Sequence, residues 1–475
     1  MKIARRIALT ASLTFGALAS SMANADDFSP ELIERGSYLA TASDCIACHT
    51  GPGGKPMAGG LPIVSPVGTI VSTNITPSKP FGIGSYTETQ FANAVRKGVR
   101  ADGTNLYPAM PYTSYSVMRD EDIQALYAYF MKGVKPVEES PSETRLPFPM
   151  NIRALMMGWN LVFRNDKRLA EDRRKSVEWN RGRYLVEGAA HCGVCHTPRG
   201  FFMQEKTDRY LSGSQVGSWY APDITSDKMT GIGTWTQEDL VTYLRTGRIL
   251  SKALAAGSMA EAISHSLSHL ADADLNAIAT YIRGVPSTKT APQASAPTRF
   301  GQGKTANELS GFRGQGFANG TKGDQAGAHL YSANCASCHG YNAQGTKDGY
   351  YPSLFHNSAN AGDNPSNLIA VILFGVDRET IDDHVFMPPF GDQPNAINVL
   401  GNAEVALLAN YIFKNHGNPN LKVTPEDVQV IREGGPRSNL LAVARIGMGT
   451  GAVLILLLTT FAWFVSRSIF KRRLL

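Results

Sequence analysis

The chain has 475 residues, with 46 Lys and Arg against 40 Asp and Glu and a formal charge of +6. That near-balance leaves no electrostatic footprint for nucleic acid, so no nucleic-acid partner is expected. With 43% hydrophobic residues, the length suits several small domains better than one large core.

The N-terminus carries Lys2, Arg5 and Arg6, an apolar stretch over residues 7–18, and Ala23-Asn24-Ala25 ahead of Asp26. This is the pattern of a cleaved secretory signal peptide, residues 1–25. Loss of its three cations would leave the mature polypeptide near +3, at about neutral balance.

Next comes Cys45-Ile46-Ala47-Cys48-His49, the first of three Cys-x-x-Cys-His pentads. The others are Cys192-Gly193-Val194-Cys195-His196 and Cys335-Ala336-Ser337-Cys338-His339, and together they use all six cysteines. The pattern predicts covalent c-type haem, three per chain. Cys45, Cys48, Cys192, Cys195, Cys335 and Cys338 would add to the vinyl groups, and His49, His196 and His339 would ligate the irons. A zinc site would need two such pairs converging on one metal. A thioredoxin-like pair has no reason to carry His after the second Cys three times. Covalent haem is attached outside the cytoplasmic membrane, which agrees with the signal peptide.

The landmarks around the pentads repeat. Gly36-Ser37-Tyr38-Leu39 precedes the first and Gly182-Arg183-Tyr184-Leu185 the second, while His329-Leu330-Tyr331 precedes the third. Downstream stand Asn74-Ile75-Thr76 and Asp223-Ile224-Thr225, then Gly82-Ile83-Gly84-Ser85-Tyr86-Thr87 and Gly231-Ile232-Gly233-Thr234-Trp235-Thr236. Thr87 and Thr236 are placed to cap helices over 88–98 and 237–247. Closing helices are expected over 119–133, 271–284 and 401–417, with apolar spacings of three and four and acids near each start.

A low-spin electron-transfer haem needs a second axial ligand, and thioether sulphur supplies one. Met110, in Ala109-Met110-Pro111, and Met387, in Phe386-Met387-Pro388-Pro389, lie between the middle and closing helices of their repeats. In the second repeat Met259 holds that place without a following proline, and His265 and His269 are rivals for it. His191, His356, His384 and His416 read as surface or loop hydrogen-bonders. Arg199 is either a partner for a haem propionate or a solvated arginine. Residues 151–163 are apolar, and either pack between haem domains or form a docking surface.

At the far end residues 446–465 carry no charge, a length that crosses a hydrocarbon core of about 30 Å as a helix; a helix lying in the membrane plane is the alternative, since the run holds Gly447, Gly449, Gly451 and three threonines. Arg467, Lys471, Arg472 and Arg473 follow it, whereas only Arg437 and Arg445 closely precede it. The positive-inside rule then places the tail in the cytoplasm and the haem domains in the periplasm, on the cell inner membrane.

The order of landmarks resembles the class I cytochrome c fold, so the expected fold is mainly α: three tandem class I domains with a C-terminal membrane helix. The expected division is signal 1–25, domain 26–137, connector 138–177, domain 178–287, linker 288–322, domain 323–420, anchor 440–467 and basic tail 468–475. More specifically, Trp219-Tyr220-Ala221-Pro222-Asp223-Ile224-Thr225, Asn334-Cys335-Ala336-Ser337-Cys338-His339-Gly340 and Tyr351-Pro352-Ser353-Leu354-Phe355 are similar to one family. That family is the triheme cytochrome c subunits of membrane-bound periplasmic dehydrogenases of acetic acid bacteria and their relatives. The resemblance implies a large catalytic partner, either an FAD flavoprotein or a pyrroloquinoline-quinone (PQQ) quinoprotein, often a small third subunit, and ubiquinone as electron acceptor. It implies electron transfer for a sugar, polyol or alcohol dehydrogenase; a cytochrome subunit of a terminal oxidase or other respiratory complex is the alternative. The chain carries no dinucleotide fingerprint, P-loop or assembled catalytic triad, so no substrate-oxidising site is expected in it.

Overall fold

The computed structural model describes residues 28–250, 252–288, 324–381 and 383–472. The expected signal peptide, nearly all of the linker and the end of the basic tail lie outside the described residues.

The chain is mostly helical, and one arrangement recurs three times: opening helix, pentad, middle helix, methionine segment, closing helix. The opening helices are Pro30–Ala42, Val177–Tyr184 and Asp324–Asn334, and the closing helices are Asp120–Ala128, Asp272–Arg283 and Asn402–His416. In each repeat the two cross at a glycine. A Cβ on Gly36, Gly182 or Gly327 would lie 1.9, 1.8 and 2.6 Å from the carbonyl oxygens of Ala125, Ala277 and Leu407. No other residue lets the backbones approach so closely.

The middle helices are Glu88–Lys97, Gln237–Thr246 and Ser366–Phe374. Thr87 and Thr236 cap the first two as expected, each in a reciprocal capping box with Gln90 or Asp239. Gly98 and Gly247 end them at φ of 61° and 73°, in the left-handed conformation that glycine adopts without strain.

Between these helices lie four two-stranded antiparallel hairpins, which the helical spacing does not announce. Pro62–Ser65 pairs with Gly68–Val71, Ser212–Val216 with Trp219–Asp223, Arg248–Ile249 with Ala253–Leu254, and Val376–Glu379 with His384–Met387. Met387 therefore ends a strand, and Met259 lies on a helix of its own, Gly257–His265. Beyond residue 420 the third repeat continues into Pro425–Arg432, whose Val428 and Ile431 are buried with Leu408 and Ile412. The Pro-rich stretch after the first closing helix straps onto its own repeat: Asn74 Nδ2 donates to Val137 O at 2.9 Å and to Glu139 O at 3.0 Å. The final helix, Leu440–Arg472, contains a candidate membrane span, Leu440–Arg467, none of it buried in the protein.

The first two repeats share one apolar core, in which Leu39, Phe91, Ile123 and Leu126 join Leu185, Leu240, Ile263 and Leu275. The third has its own, built on Tyr331, Ile369, Leu373 and Phe413. The shared core is closed by a reciprocal exchange. Tyr38 Oη donates to Asp274 Oδ2 of the second repeat at 2.6 Å and accepts from Ala271 N at 3.2 Å. Tyr184 Oη donates to Asp122 of the first repeat and accepts from Arg119 N at 3.1 Å. Each carboxylate also pairs with an arginine of its own repeat, Asp122 with Arg35 and Asp274 with Arg181. Corresponding residues thus swap across a pseudo-two-fold relation, each tyrosine reaching the first turn of the other repeat's closing helix.

A hydrogen bond to a charged acceptor contributes about 1.5–3 kcal/mol. Tyr38→Phe and Tyr184→Phe should each lower the stability of the haem-loaded protein by about that much in denaturant titration. A loss confined to one of the two would break the two-fold argument.

Candidate haem-attachment sites

Each pentad folds as one short helical turn directly after its opening helix, so its cysteines and histidine project from a single coil. The turns are Cys45–Cys48, Gly193–His196 and Ala336–His339. All six thiols are free of disulfides. Burial pushes Cys45, Cys192 and Cys335 up to about 12, so these sulphurs stay uncharged. A zinc site would need thiolates; addition across a vinyl group leaves a neutral thioether, which suits these surroundings.

The histidines supply the decisive geometry. His49 Nδ1 lies 2.7 Å from Thr73 O, His196 Nδ1 2.7 Å from Pro222 O, and His339 Nδ1 2.9 Å from Pro352 O. A carbonyl accepts only, so Nδ1 carries the proton in all three and Nε2 keeps its lone pair. Burial holds each ring below its usual range, and the neutral imidazole is the form that ligates iron. A carbonyl behind the ring also fixes its plane and raises its basicity. The residues present therefore fit a c-type haem at each of the three turns.

These carbonyls had a signal in the sequence. Thr73 and Pro222 immediately precede the repeated Asn74-Ile75-Thr76 and Asp223-Ile224-Thr225 phrases. Asn74 Oδ1 accepts from Thr76 N and Oγ1 at 2.9 and 2.7 Å, and Asp223 Oδ1 from Thr225 N and Oγ1 at 2.8 and 2.7 Å. The phrase is a small turn that presents the preceding carbonyl to the histidine.

Met110 and Met259 are half-buried against the shared core, and Met387 against the third repeat's core. His265 and His269 are exposed, and His269 Nε2 is engaged with Ser264 O at 2.9 Å. The structure brings Met259, and neither histidine, to the core.

The amino-acid sequence has strong relatives. Residues 33–133 and 325–415 match the cytochrome c family. The fructose dehydrogenase cytochrome subunit of Gluconobacter japonicus is 43% identical over 98% of this chain and 99% of its own length. The cytochrome c subunit of alcohol dehydrogenase (quinone) from Gluconobacter oxydans is 39% identical over 91% of this chain and 88% of its own. The gluconate 2-dehydrogenase cytochrome c subunit of Pantoea cypripedii is 40% identical over 89% of this chain and 93% of its own. The chain belongs to this family of dehydrogenase cytochrome c subunits.

One expectation about this cytochrome needs correction, and two further residues are placed by the packing. His416 is fully buried on the third closing helix, with Tyr331 and Tyr411 at 5.8 and 5.9 Å, because its helical position faces the core. His191 is the loop hydrogen-bonder expected, its Nδ1 on Ala189 O at 2.8 Å, and its ring also meets Tyr115 edge-on at 5.5 Å. Arg199 is half-buried, and its Nη2 donates to Val194 O, inside the second pentad, at 2.6 Å.

The first attachment turn packs against the Met259 helix, which brings Asp44 near Glu261. Burial, with the Glu261 carboxylate second, pushes Asp44 up to about 8. Its φ is 51°, and Oδ1 is buried without a hydrogen-bond partner. A carboxyl raised above its unfolded value binds more protons folded than unfolded, so its contribution to stability falls as pH rises from about 4 to about 8. Asp44→Asn keeps a residue that tolerates this conformation. It should raise the thermal midpoint more at about pH 8 than at about pH 4, checked by calorimetry across that range. An equal effect at both ends would show that Asp44 titrates normally.

Proposed function

We propose that this protein is the electron-transfer subunit of a membrane-bound dehydrogenase oxidising a sugar, polyol or alcohol. It receives electrons from a catalytic subunit, an FAD flavoprotein or a PQQ quinoprotein, with a small third subunit completing the assembly. Electrons pass through three c-type haems to ubiquinone in the lipid. The observation that carries the reading is the threefold recurrence of a pentad whose histidine has Nδ1 tied to a carbonyl and Nε2 free for iron. The names of the near full-length relatives support the dehydrogenase setting.

In this reading the second repeat is a class I cytochrome c domain like the first and third. Cys45, Cys48, Cys192, Cys195, Cys335 and Cys338 would hold the porphyrins, and His49, His196 and His339 with Met110, Met259 and Met387 would ligate the irons. When bound, each haem supplies a one-electron couple. The chain's residues do the rest: the carbonyls of Thr73, Pro222 and Pro352 hold each imidazole with Nδ1 protonated and Nε2 free. The signal peptide and the helix Leu440–Arg467 set the haem domains on the periplasmic face of the inner membrane.

Two measurements test this. Met110→Ala, Met259→Ala and Met387→Ala should each retain three covalent haems by mass spectrometry while binding about one carbon monoxide, where the parent binds almost none. Met259→Ala with an unchanged spectrum would remove that residue from the ligand set. Separately, the isolated chain mixed with sugars and alcohols should show no haem reduction at the α-band until the catalytic subunit is added. Reduction by substrate alone would place a catalytic site in this chain.

A further inference from the structure

The helix Leu155–Phe163 is built inside out. Its one buried residue is polar: Asn160, 5% exposed, accepts from Tyr112 Oη at 2.8 Å and donates to Asn105 Oδ1 at 3.1 Å. Leu161, Val162 and Met157 face away from the protein, 87%, 70% and 64% exposed, while Met156, Trp159 and Phe163 are half-buried and Trp159 meets the buried Tyr112 ring edge-on. Isolated exposed apolar residues are ordinary on a soluble protein, but a helix presenting Leu, Val and Met outward and an amide inward is not. The patch is extended by Phe201 and Phe202, both exposed; Trp159 Nε1 donates to Phe202 O at 2.9 Å and Phe163 lies 6.3 Å from the Phe202 ring.

Its position relative to the last helix names the occupant. Arg445, the final charge before the uncharged run, donates from Nε to Phe148 O at 2.9 Å. That contact sets Phe148, whose ring is exposed, beside the start of the uncharged run. From there a succession of tight turns, Met150 N to Pro147 O, Ile152 N to Pro149 O and Leu155 N to Ile152 O, leads straight into the inside-out helix. The charged side chains along this stretch are Arg145, Arg153 and Arg164, the last paired with Asp166 at 2.8 Å. An apolar helix edged by arginines fits the boundary between acyl chains and anionic headgroups.

We propose that Leu155–Phe163, with Phe148, Phe201 and Phe202, is seated in the outer surface of the bilayer as a second membrane contact. This rests on the reading that Leu440–Arg467 spans the membrane, and it makes the cytochrome lie against the lipid instead of hanging from one helix. The two contacts together fix the orientation of the first two repeats to the membrane plane.

The test uses the full chain in its complex within native membranes. A diazirine amino acid is placed at Leu161 or Val162, with Leu454 in the spanning helix as reference, and the photoadducts are read by mass spectrometry. The expected result is phospholipid adducts at Leu161 and Val162, within about threefold of the yield at Leu454. Adducts to another polypeptide would overturn the proposal in favour of a subunit interface. Water quenching at Leu161 and Val162, with lipid adducts at Leu454, would overturn it in favour of a solvent-facing patch. No lipid adducts at any of the three positions would overturn the spanning reading as well.

Discussion

The close crossing of opening and closing helices at Gly36, Gly182 and Gly327 is the constraint from which each site follows. The opening helix runs into its pentad within a few residues, so the crossing fixes where the pentad begins. The closing helix begins just past the methionine segment, so the same crossing fixes where that segment ends. Two backbones in near contact leave little freedom between the histidine side and the methionine side. An alanine at the crossing would have to push the helices apart, because the atom it meets is a backbone carbonyl and not a movable side chain.

Between repeats the joining is of two kinds. The first and second are fused by a common core and by the Tyr38–Asp274 and Tyr184–Asp122 exchange. Each of those carboxylates serves an arginine of its own repeat and a tyrosine of the other, so neither closing helix has its first turn completed alone. The third repeat joins through an aromatic contact, Trp219 on Phe374 at 6.3 Å, and through hydrogen bonds. Asn367 brackets Tyr220, accepting from its N–H and donating to its carbonyl, both at 2.9 Å. Arg378, fully buried, donates to Ala255 O at 2.8 Å across the same junction.

Much of this was legible because it is local. The pentads declare their chemistry in five residues, and Thr87 and Thr236 declare helix starts through bonds to the third residue along. Met110 and Met387 were marked by position and a following proline. What spacing could not show was anything set by distant partners. The Tyr38–Asp274 bond joins residues 236 apart in sequence, and no local pattern encodes it, although the repeated Gly-x-Tyr-Leu phrase marks the tyrosines. His416 reads in the sequence as a surface or loop hydrogen-bonder, and only the packing of the third repeat reveals it as core. The hairpins were obscured by Gly, Ser and Pro, which reduce strand propensity without preventing a short twisted pair.

The contrast between fused and attached repeats bears on how the molecule carries strain. Within a shared core a volume change in one repeat is felt by residues of the other, since Leu126 and Ile278 belong to one packed body. Perturbations in the first two repeats therefore couple, and the core of Ile369, Leu408 and Phe413 reaches the second repeat through Trp219, packed against it. Arg378, buried at the same junction, leaves no water to replace its bond to Ala255 O, so removing that acceptor would strand a buried charge. The first two repeats thus share one core, and the third is joined to them by a smaller mixed junction of aromatic and charged contacts.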